Sequence, residues 1–183
     1  MTNRKYEFVE GDERIVAPGI VAKRIRALVA IPALLWAPAV QPGDLGGYIV
    51  QGANLAQVSG NAWVYGDALV YGDAQVYGDA RVYGNAQVYG DAQVYGDAWV
   101  YGDAWVSEKC SRTPVLISGL RYTVTVTDEH LRAGCQCHPF AAWAAFSKDE
   151  VAAMDGKDAL RFWPQLLALL AAARPAEPAE VQE

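Results

Sequence analysis

The chain has 183 residues, of which 52% are hydrophobic and 20% charged, and its formal net charge is −6. A chain of this size can bury a core without metal or disulfide support, and its composition excludes an intrinsically disordered protein. The acidic balance argues against a general nucleic-acid binder, because such binding depends on basic patches that neutralise phosphates. The unusual feature is ten tyrosines beside seventeen glycines.

The N-terminal part reads as β structure. Strands are predicted at Lys5–Val9 and Ile20–Ile31, and an apolar run covers Ala27–Val40. This run starts too far along the chain for an ordinary secretory signal and is too short to span a membrane. Pro32 and Pro38 would also break a helix there, so we interpret it as a buried strand and loop. Because three cysteines give no disulfide framework, we expect a cytoplasmic location.

The middle of the chain repeats with a period of six. From Ala62 it reads AWVYGD, ALVYGD, AQVYGD, ARVYGN, AQVYGD, AQVYGD, AWVYGD and AWVSEK. A strict period of this length is typical of a parallel β-helix. Successive side chains of a strand point to opposite faces, so Ala and Val face inward while Tyr and the variable residue face outward. Gly-Asp or Gly-Asn supplies each corner, since glycine accepts positive φ and Asp or Asn hydrogen-bonds a turn.

Three such hexads close one triangular coil. Neighbouring coils then pair as parallel strands about 4.8 Å apart. The nine hexads from Val58 to Ser111 predict three coils, and a degenerate hexad at Gly52–Gln57 is a candidate start of a fourth. Residues i and i+18 stack in columns. One column, Trp63, Arg81 and Trp99, predicts a cation–π sandwich. A second column predicts an amide ladder; its members are Gln57, Gln75, Gln93 and Ser111.

The hexads resemble those of left-handed parallel β-helix proteins of the hexapeptide-transferase, or trimeric LpxA-like, superfamily. The segment GDLGGYIVQGANLAQVSGNAWVYGDA, residues 43–68, is similar to the entry of the helix in YdcK-like proteins and to phage and prophage reading frames with tandem VYGDA repeats. The RIRAL strand before it and the segment Ser118–Trp163 resemble the flanking pieces of those phage proteins. The resemblance implies the left-handed sense of the coil, whereas a right-handed coil remains the alternative from physics alone.

The C-terminal part predicts a small α+β domain. Short strands are predicted at Pro114–Gly119, Tyr122–Thr127 and Leu131–Cys137. Ser147 and Glu150 form a capping box for a helix over Lys148–Met154. A second helix, Lys157–Ala173, contains Pro164, which is expected to kink or divide it. The predicted organisation is an N-terminal β cap over residues 1–49, the β-helix over 50–111, the α+β domain over 112–173 and a disordered tail over 174–183.

Charge is concentrated on the repeat. Residues 50–106 carry one arginine against six aspartates, or −5, while residues 1–49 sum to +1 and residues 107–183 to −2. Aspartate suits a corner for structural reasons alone, but a regular acidic rod also resembles the phosphate backbone of a duplex. Its outward aromatic residues exceed what solubility favours, which is typical of an interface. The candidate binding surface comprises Trp63, Tyr65, Tyr71, Asp73, Tyr77, Asp79, Arg81, Tyr83, Tyr89, Asp91, Tyr95, Asp97, Trp99, Tyr101, Asp103 and Trp105.

No catalytic group, metal or cofactor is predicted. The repeat contains no histidine, lysine or cysteine between residues 50 and 106 that could serve as a general base at neutral pH. The constellation His130, Cys135, Cys137 and His138 has zinc-ligand types at poor spacing, so ordinary cysteines and histidines are the favoured interpretation.

We therefore expect a non-enzymatic protein that binds a protein partner. A host defence complex is the narrower hypothesis, suggested by the phage resemblance and the acidic rod. We also expect a homo-oligomer, a dimer or trimer, with no direct nucleic-acid contact and no membrane. The alternatives are an acyltransferase-like enzyme, a structural or assembly component, and a nucleotide-sequestering protein whose aromatic faces stack a base.

Overall fold

The computed structural model describes residues 4–34 and 37–173. The predicted disordered tail, residues 174–183, lies outside the described residues. The strands and helices are β1 (Tyr6–Ala17), β2 (Ile20–Ala27), β3 (Leu45–Ile49), β4 (Trp63–Val64), β5 (Leu69–Val70), β6 (Gln75–Val76), β7 (Arg81–Val82), β8 (Gln87–Val88), β9 (Gln93–Val94), β10 (Trp99–Val100), β11 (Trp105–Val106), β12 (Val115–Ile117), β13 (Val124–Val126), β14 (His130–Ala133), β15 (Gln136–Pro139), α1 (Phe140–Ala145) and α2 (Lys148–Ala173).

The hexads form a parallel β-solenoid of about three coils, as the sequence predicts. One face holds β4, β7 and β10, a second holds β3, β5, β8 and β11, and a third holds β6 and β9. Residues i and i+18 are partners within the repeat, as in Trp63 with Arg81 and Gln75 with Gln93. Every repeat Ala and Val from Ala62 to Val106 is at most 1% exposed, so small and branched side chains fill the interior. The repeat glycines have φ between 58° and 74°, which the corners require.

The first and last coils depart from the register of the repeat. Tyr48 pairs with Leu69, whereas a period of 18 would pair it with Gly66. Leu55 likewise bridges Val76, whereas the same period would pair it with Asp73. The start of the solenoid therefore contains an insertion between Leu55 and Val64. At the other end Cys110 bridges Val94, where the period would place Arg112. Gln57 and Ser111 are consequently not aligned with the predicted amide ladder, which is wrong at these two residues. Gln75 and Gln93 are paired along the backbone as predicted.

The N-terminal strands continue one face of the solenoid instead of forming a separate layer. Strand β1 pairs antiparallel with β2, β2 pairs antiparallel with β3, and β3 pairs in parallel with β5. The hairpin therefore occupies a strand edge that would otherwise carry unpaired backbone groups. One apolar core runs without interruption from Tyr6 of the hairpin to Cys110 of the last coil. Of the apolar run, Ala27 ends strand β2, and the later described residues form isolated bridges, such as Ile31 with Val40.

The C-terminal domain has its own core. Strands β12, β13, β14 and β15 form an antiparallel sheet, and the predicted third strand is divided into β14 and β15 by a turn at Gly134. Helices α1 and α2 pack on this sheet through a second cluster that includes Leu131, Trp143 and Leu166.

The long helix α2 begins as the capping box predicts. Ser147 donates its N–H to Glu150 Oε2 at 2.8 Å, and its hydroxyl accepts from the Glu150 N–H at 3.3 Å. The break falls at Asp155 and Gly156, where φ and ψ are non-helical, and the helical angles continue through Pro164. The break therefore falls between the two predicted helices, at a glycine that accepts a φ of 58°, whereas the expected kink at Pro164 is wrong.

Candidate binding surface

The third face of the solenoid presents its outward strand residues to solvent. Gln75 of β6 and Gln93 of β9 are both exposed. On the first face Trp63 and Arg81 are buried, and on the second face Leu69 and Gln87 are half-buried. We call the third face, with the tyrosines and aspartates beside it, the Gln face; it comprises Gln75, Gln93, Tyr71, Tyr89, Tyr77, Tyr95, Asp73, Asp91, Asp79 and Asp97.

Two stacked tyrosine pairs border the Gln face. The rings of Tyr77 and Tyr95 lie 5.2 Å apart at 4°, and those of Tyr71 and Tyr89 lie 5.3 Å apart at 11°. This parallel stacking follows from the register of the repeat, which superimposes equivalent side chains of adjacent coils. Burial, followed by the neighbouring Tyr89, raises the pKa of Tyr71. The stacked phenol of Tyr71 is therefore neutral at physiological pH and can donate or accept a hydrogen bond.

Aspartates lie at both corners of the Gln face. Asp73 and Asp91 are exposed at one corner, and Asp97 is exposed at the other. Asp79 is half-buried there and accepts from Asn61 Nδ2 at 2.8 Å and from the Asn61 N–H at 3.1 Å. Three of the four corner carboxylates are thus open to a partner. Two rows of carboxylates flanking a strip of tyrosine and glutamine can pair with cationic side chains and with hydrogen-bond donors.

The predicted surface is wrong at Trp63 and Arg81, which are both 0% exposed. The N-terminal segment covers them: the Tyr6 ring packs edge-on against Trp63 at 6.3 Å. Arg81 donates to the carbonyl of Asn61, whereas its Nε and Nη2 have no hydrogen-bond partner among the described residues. The predicted cation–π sandwich is absent from the ring contacts of the described residues, and Trp99 instead packs edge-on against Tyr83 at 6.3 Å.

The remaining predicted residues are divided between the other two faces. Tyr65 donates to the carbonyl of Pro38 at 3.2 Å, so the N-terminal segment reaches it as well. Tyr83 and Tyr101 stack at 5.7 Å. Trp105 is 43% exposed and lies beside the C-terminal domain, and Asp103 is exposed near it. The sixteen predicted residues therefore form several environments and not one continuous surface.

A cluster that the sequence does not indicate fixes the hairpin to the first coil. Arg14 and Arg24 both lie over the Tyr48 ring, at 4.0 and 4.3 Å, and both pair with Asp67. Arg24 Nε also donates to Asp12 at 2.6 Å. Asp67, a corner residue of the repeat, is thus already neutralised within the chain. The sequence shows the arginine-rich strand, but it does not indicate which of the six equivalent repeat aspartates pairs with it.

The histidines and cysteines of the C-terminal domain take part in packing. His138 packs edge-on against Trp143 and Phe146, at 5.1 and 4.9 Å. Burial, followed by the charge of Arg132, lowers its pKa. Cys137 accepts a hydrogen bond from the Ser107 hydroxyl at 3.8 Å. In the described part of the chain no three His, Cys, Asp or Glu side chains are grouped in a way that could hold a metal ion.

These observations define the chain as a β-solenoid protein with a β-hairpin at one end and a small α+β domain at the other. Three of its segments, residues 56–72, 74–90 and 92–108, match the family model described as YdcK Beta solenoid repeat. Each matched segment corresponds to one coil. No curated protein and no solved structure matches the chain. The left-handed sense of the coil stays a prediction from the resemblance. No helix in residues 4–34 and 37–173 is long and apolar enough to cross a membrane.

Proposed function

We propose that the chain is a non-catalytic binding protein and that the Gln face is where a protein partner docks. The observation that carries this proposal is that both outward strand residues of this face, Gln75 and Gln93, are exposed, whereas each of the other two faces includes buried or half-buried ones. Tyrosine is enriched in the buried centre of protein interfaces, because its ring supplies contact area and its hydroxyl supplies a hydrogen bond. The flanking aspartates select a partner with basic side chains.

The density of charge favours a basic protein over imitation of a nucleic-acid duplex. Three coils at about 4.8 Å extend roughly 14 Å, so the net −5 of residues 50–106 is about one charge per 3 Å. Duplex DNA carries one charge per about 1.7 Å. The narrower hypothesis is that the partner is a component of a bacterial defence complex, which the resemblance to phage and prophage repeats supports. Such a partner would need a basic groove that accepts carboxylates spaced more widely than the phosphates of DNA.

The size of the face favours a partner that surrounds the solenoid over a second copy of the chain. A strip one hexad wide and two strands long, as on the Gln face, is roughly 20 by 10 Å, or about 200 Å², by the dimensions of extended strands. Stable interfaces bury about 800 Å² per partner. A flat pairing of two Gln faces is too small, whereas a groove that reaches both aspartate corners buries more. A homo-oligomer through this face is therefore the second candidate.

The test replaces the exposed corner carboxylates without changing the fold. The triple variant D73N, D91N and D97N removes three charges from the Gln face, and a control triple, E10Q, E129Q and D149N, removes three exposed charges elsewhere. Each tagged protein is used for affinity capture from source-cell lysate, followed by mass spectrometry and titration of the identified partner. We expect the face variant to lose at least tenfold in affinity and the control to lose less than twofold.

Two results would count against the proposal. Equal losses in the two triples would mean that total charge, and not the Gln face, attracts the partner. Unchanged binding by the face triple and by Y77A/Y95A would place the partner elsewhere. Light scattering of the free protein decides the second candidate, because a mass of two or three chains that falls to one chain in Y77A/Y95A identifies self-association.

A further inference from the structure

A cavity lined by charged residues lies where the last coil meets the C-terminal sheet. Its volume is about 390 Å³, within the range of small-molecule sites. Trp105 comes from the solenoid, while Arg132 and Tyr122 come from the C-terminal domain. The cavity is lined by Asp103, Trp105, Arg121, Tyr122, Thr123, Thr125, Arg132, Gly134 and Cys135.

Arg132 brings an uncompensated positive charge to this cavity. It is 8% exposed, and no carboxylate of the described residues lies within ion-pair distance of it. Its Nη1 donates to the Cys135 carbonyl at 3.3 Å and its Nη2 to the Ser107 hydroxyl at 3.1 Å. Its Nε has no hydrogen-bond partner among the described residues. The guanidinium also lies 5.5 Å from the centroid of the Tyr89 ring. A buried cation that has only neutral acceptors and aromatic rings beside it carries a desolvation cost that an anion in the cavity would offset.

The other groups of the cavity restrict the anion to a single charge. Arg121 is already paired with Asp158 at 2.5 Å, so it adds little net charge. Asp103, which also lines the cavity, repels a second negative charge on the ligand. One free guanidinium therefore suits a carboxylate better than a phosphate dianion or a chain of phosphates.

The aromatic wall indicates a flat ring on the ligand. Trp105 is 43% exposed, its ring packs edge-on against Tyr89 at 6.5 Å, and the Arg132 guanidinium lies 6.0 Å from its centroid. A ring stacked on Trp105 would cover this exposed surface while its acidic group points to Arg132. An adjoining apolar cavity of about 290 Å³ shares Tyr122 and Cys135 with the first and offers room for a hydrocarbon substituent.

We propose that this junction is a binding site for a small aromatic carboxylate, with Arg132 as the group that holds the carboxylate and Trp105 as the stacking platform. The site borders the Gln face at Tyr89, whose ring contacts Trp105 and the Arg132 guanidinium, but it uses none of the exposed aspartates proposed to hold the protein partner. The ligand contacts both the solenoid and the C-terminal domain, so binding couples the two cores.

The experiment titrates the full chain with 1-naphthoate, its neutral analogue 1-naphthalenemethanol, and adenosine monophosphate, by calorimetry and by thermal melting. We expect 1-naphthoate to bind at least tenfold more tightly than the alcohol and to raise the melting temperature. R132M and W105L should each weaken naphthoate binding at least tenfold. R161M, which removes an exposed arginine outside the cavity lining, is the matched control and should bind as the wild type does.

Equal affinity for the acid and the alcohol would overturn the role of Arg132, and this comparison on the wild-type protein holds even if R132M fails to fold. No binding of naphthoate at millimolar concentration would overturn the site as proposed. Tighter binding of adenosine monophosphate than of naphthoate would overturn the single-charge argument and identify a nucleotide site instead. Loss of binding in R161M equal to that in R132M would show general charge attraction.

Discussion

At the scale of single residues, the most unusual feature is a pair of buried cations beneath the N-terminal segment. Lys5 is 5% exposed and Arg81 is 0% exposed. Lys5 Nζ donates to the carbonyls of Ser59 and Ala62, at 3.4 and 3.3 Å. Burial, and then the charge of Arg81, lowers the pKa of Lys5 to about 8, against a smaller opposing effect of Asp79. Folding therefore disfavours the protonated form of Lys5.

This shift predicts how stability changes with pH. The folded chain loses the Lys5 proton near pH 8, whereas the unfolded chain keeps it to 10.5. Between these values the unfolded state binds more protons, so Lys5 makes the free energy of unfolding rise with pH. Below pH 8 both states are protonated and the contribution is constant.

Urea unfolding of the wild type and of K5M, at intervals from pH 7 to 10, measures this contribution. The difference between the two free energies should grow in favour of the wild type by on the order of 2 kcal/mol across that range. Taking the difference removes the opposing effect of Cys110, whose burial raises its pKa to about 12 and which is common to both proteins. A difference that stays flat would contradict the assignment.

At the scale of elements, the repeat is held by its corners as much as by its short strands. Equivalent glycines stack on one another, so adjacent coils approach closely at each corner. A Cβ on Gly78 would lie 3.1 Å from the backbone N of Gly96, whereas one on Gly66 would meet nothing nearer than the Gly84 carbonyl oxygen at 4.0 Å. Both have positive φ, 68° and 58°. The two positions therefore share backbone strain and differ in available space.

Alanine substitutions separate these two causes. G66A should lower the free energy of unfolding by about 1–2 kcal/mol, the cost of a left-handed conformation for an L-residue. G78A should cost at least about 1 kcal/mol more, because the coils must also move apart, in the range of overpacking effects. Urea unfolding at neutral pH measures both. Equal losses of stability in G66A and G78A would show that adjacent coils can accommodate the added methyl group and that only the positive φ requires glycine at the corners.

At the scale of the whole molecule, the two apolar cores are separate. The hairpin and solenoid share one cluster, and the C-terminal sheet and helices share another. Leu116 packs against the solenoid core while its neighbour Ile117 packs against the C-terminal one. Polar contacts also cross the junction, such as the hydrogen bond from the Ser111 N–H to Asp128 at 2.8 Å. Because the two apolar cores are separate and few contacts join them, we expect the two units to open independently.

Hydrogen exchange tests this independence with one core substitution in each unit. L166A should destabilise the C-terminal domain by about 2–4 kcal/mol and accelerate exchange in β13 and β14, with the amides of β7 and β8 unchanged. V88A, its counterpart in the solenoid, should cost about 1–3 kcal/mol, accelerate exchange in β7 and β8, and leave β13 unchanged. Acceleration throughout the chain by either variant would indicate a single cooperative unit.

The sequence alone determined the architecture of the middle of the chain. Each hexad carries its own complete instruction, with Ala and Val inward, Gly-Asp at the corner and Tyr outward, and repetition makes the register between coils follow. The capping box at Ser147 was likewise readable, because its two residues interact locally. Only the tertiary structure decided which outward residues are exposed. Trp63 and Arg81 occupy outward positions like Trp99, yet the N-terminal segment buries them.

The same limit applies to both candidate sites. The Gln face is distinguished from its two neighbours by what the hairpin and the C-terminal domain cover, and the Arg132 cavity exists only where the last coil meets a sheet encoded later in the chain. Repeated local patterns specify strands and corners because the interactions lie within one coil or between identical coils. Contacts between the repeat and its unique flanking segments have no period and cannot be inferred from it. The repeat therefore specifies the solenoid, whereas the tertiary structure determines which part of its surface is available for binding.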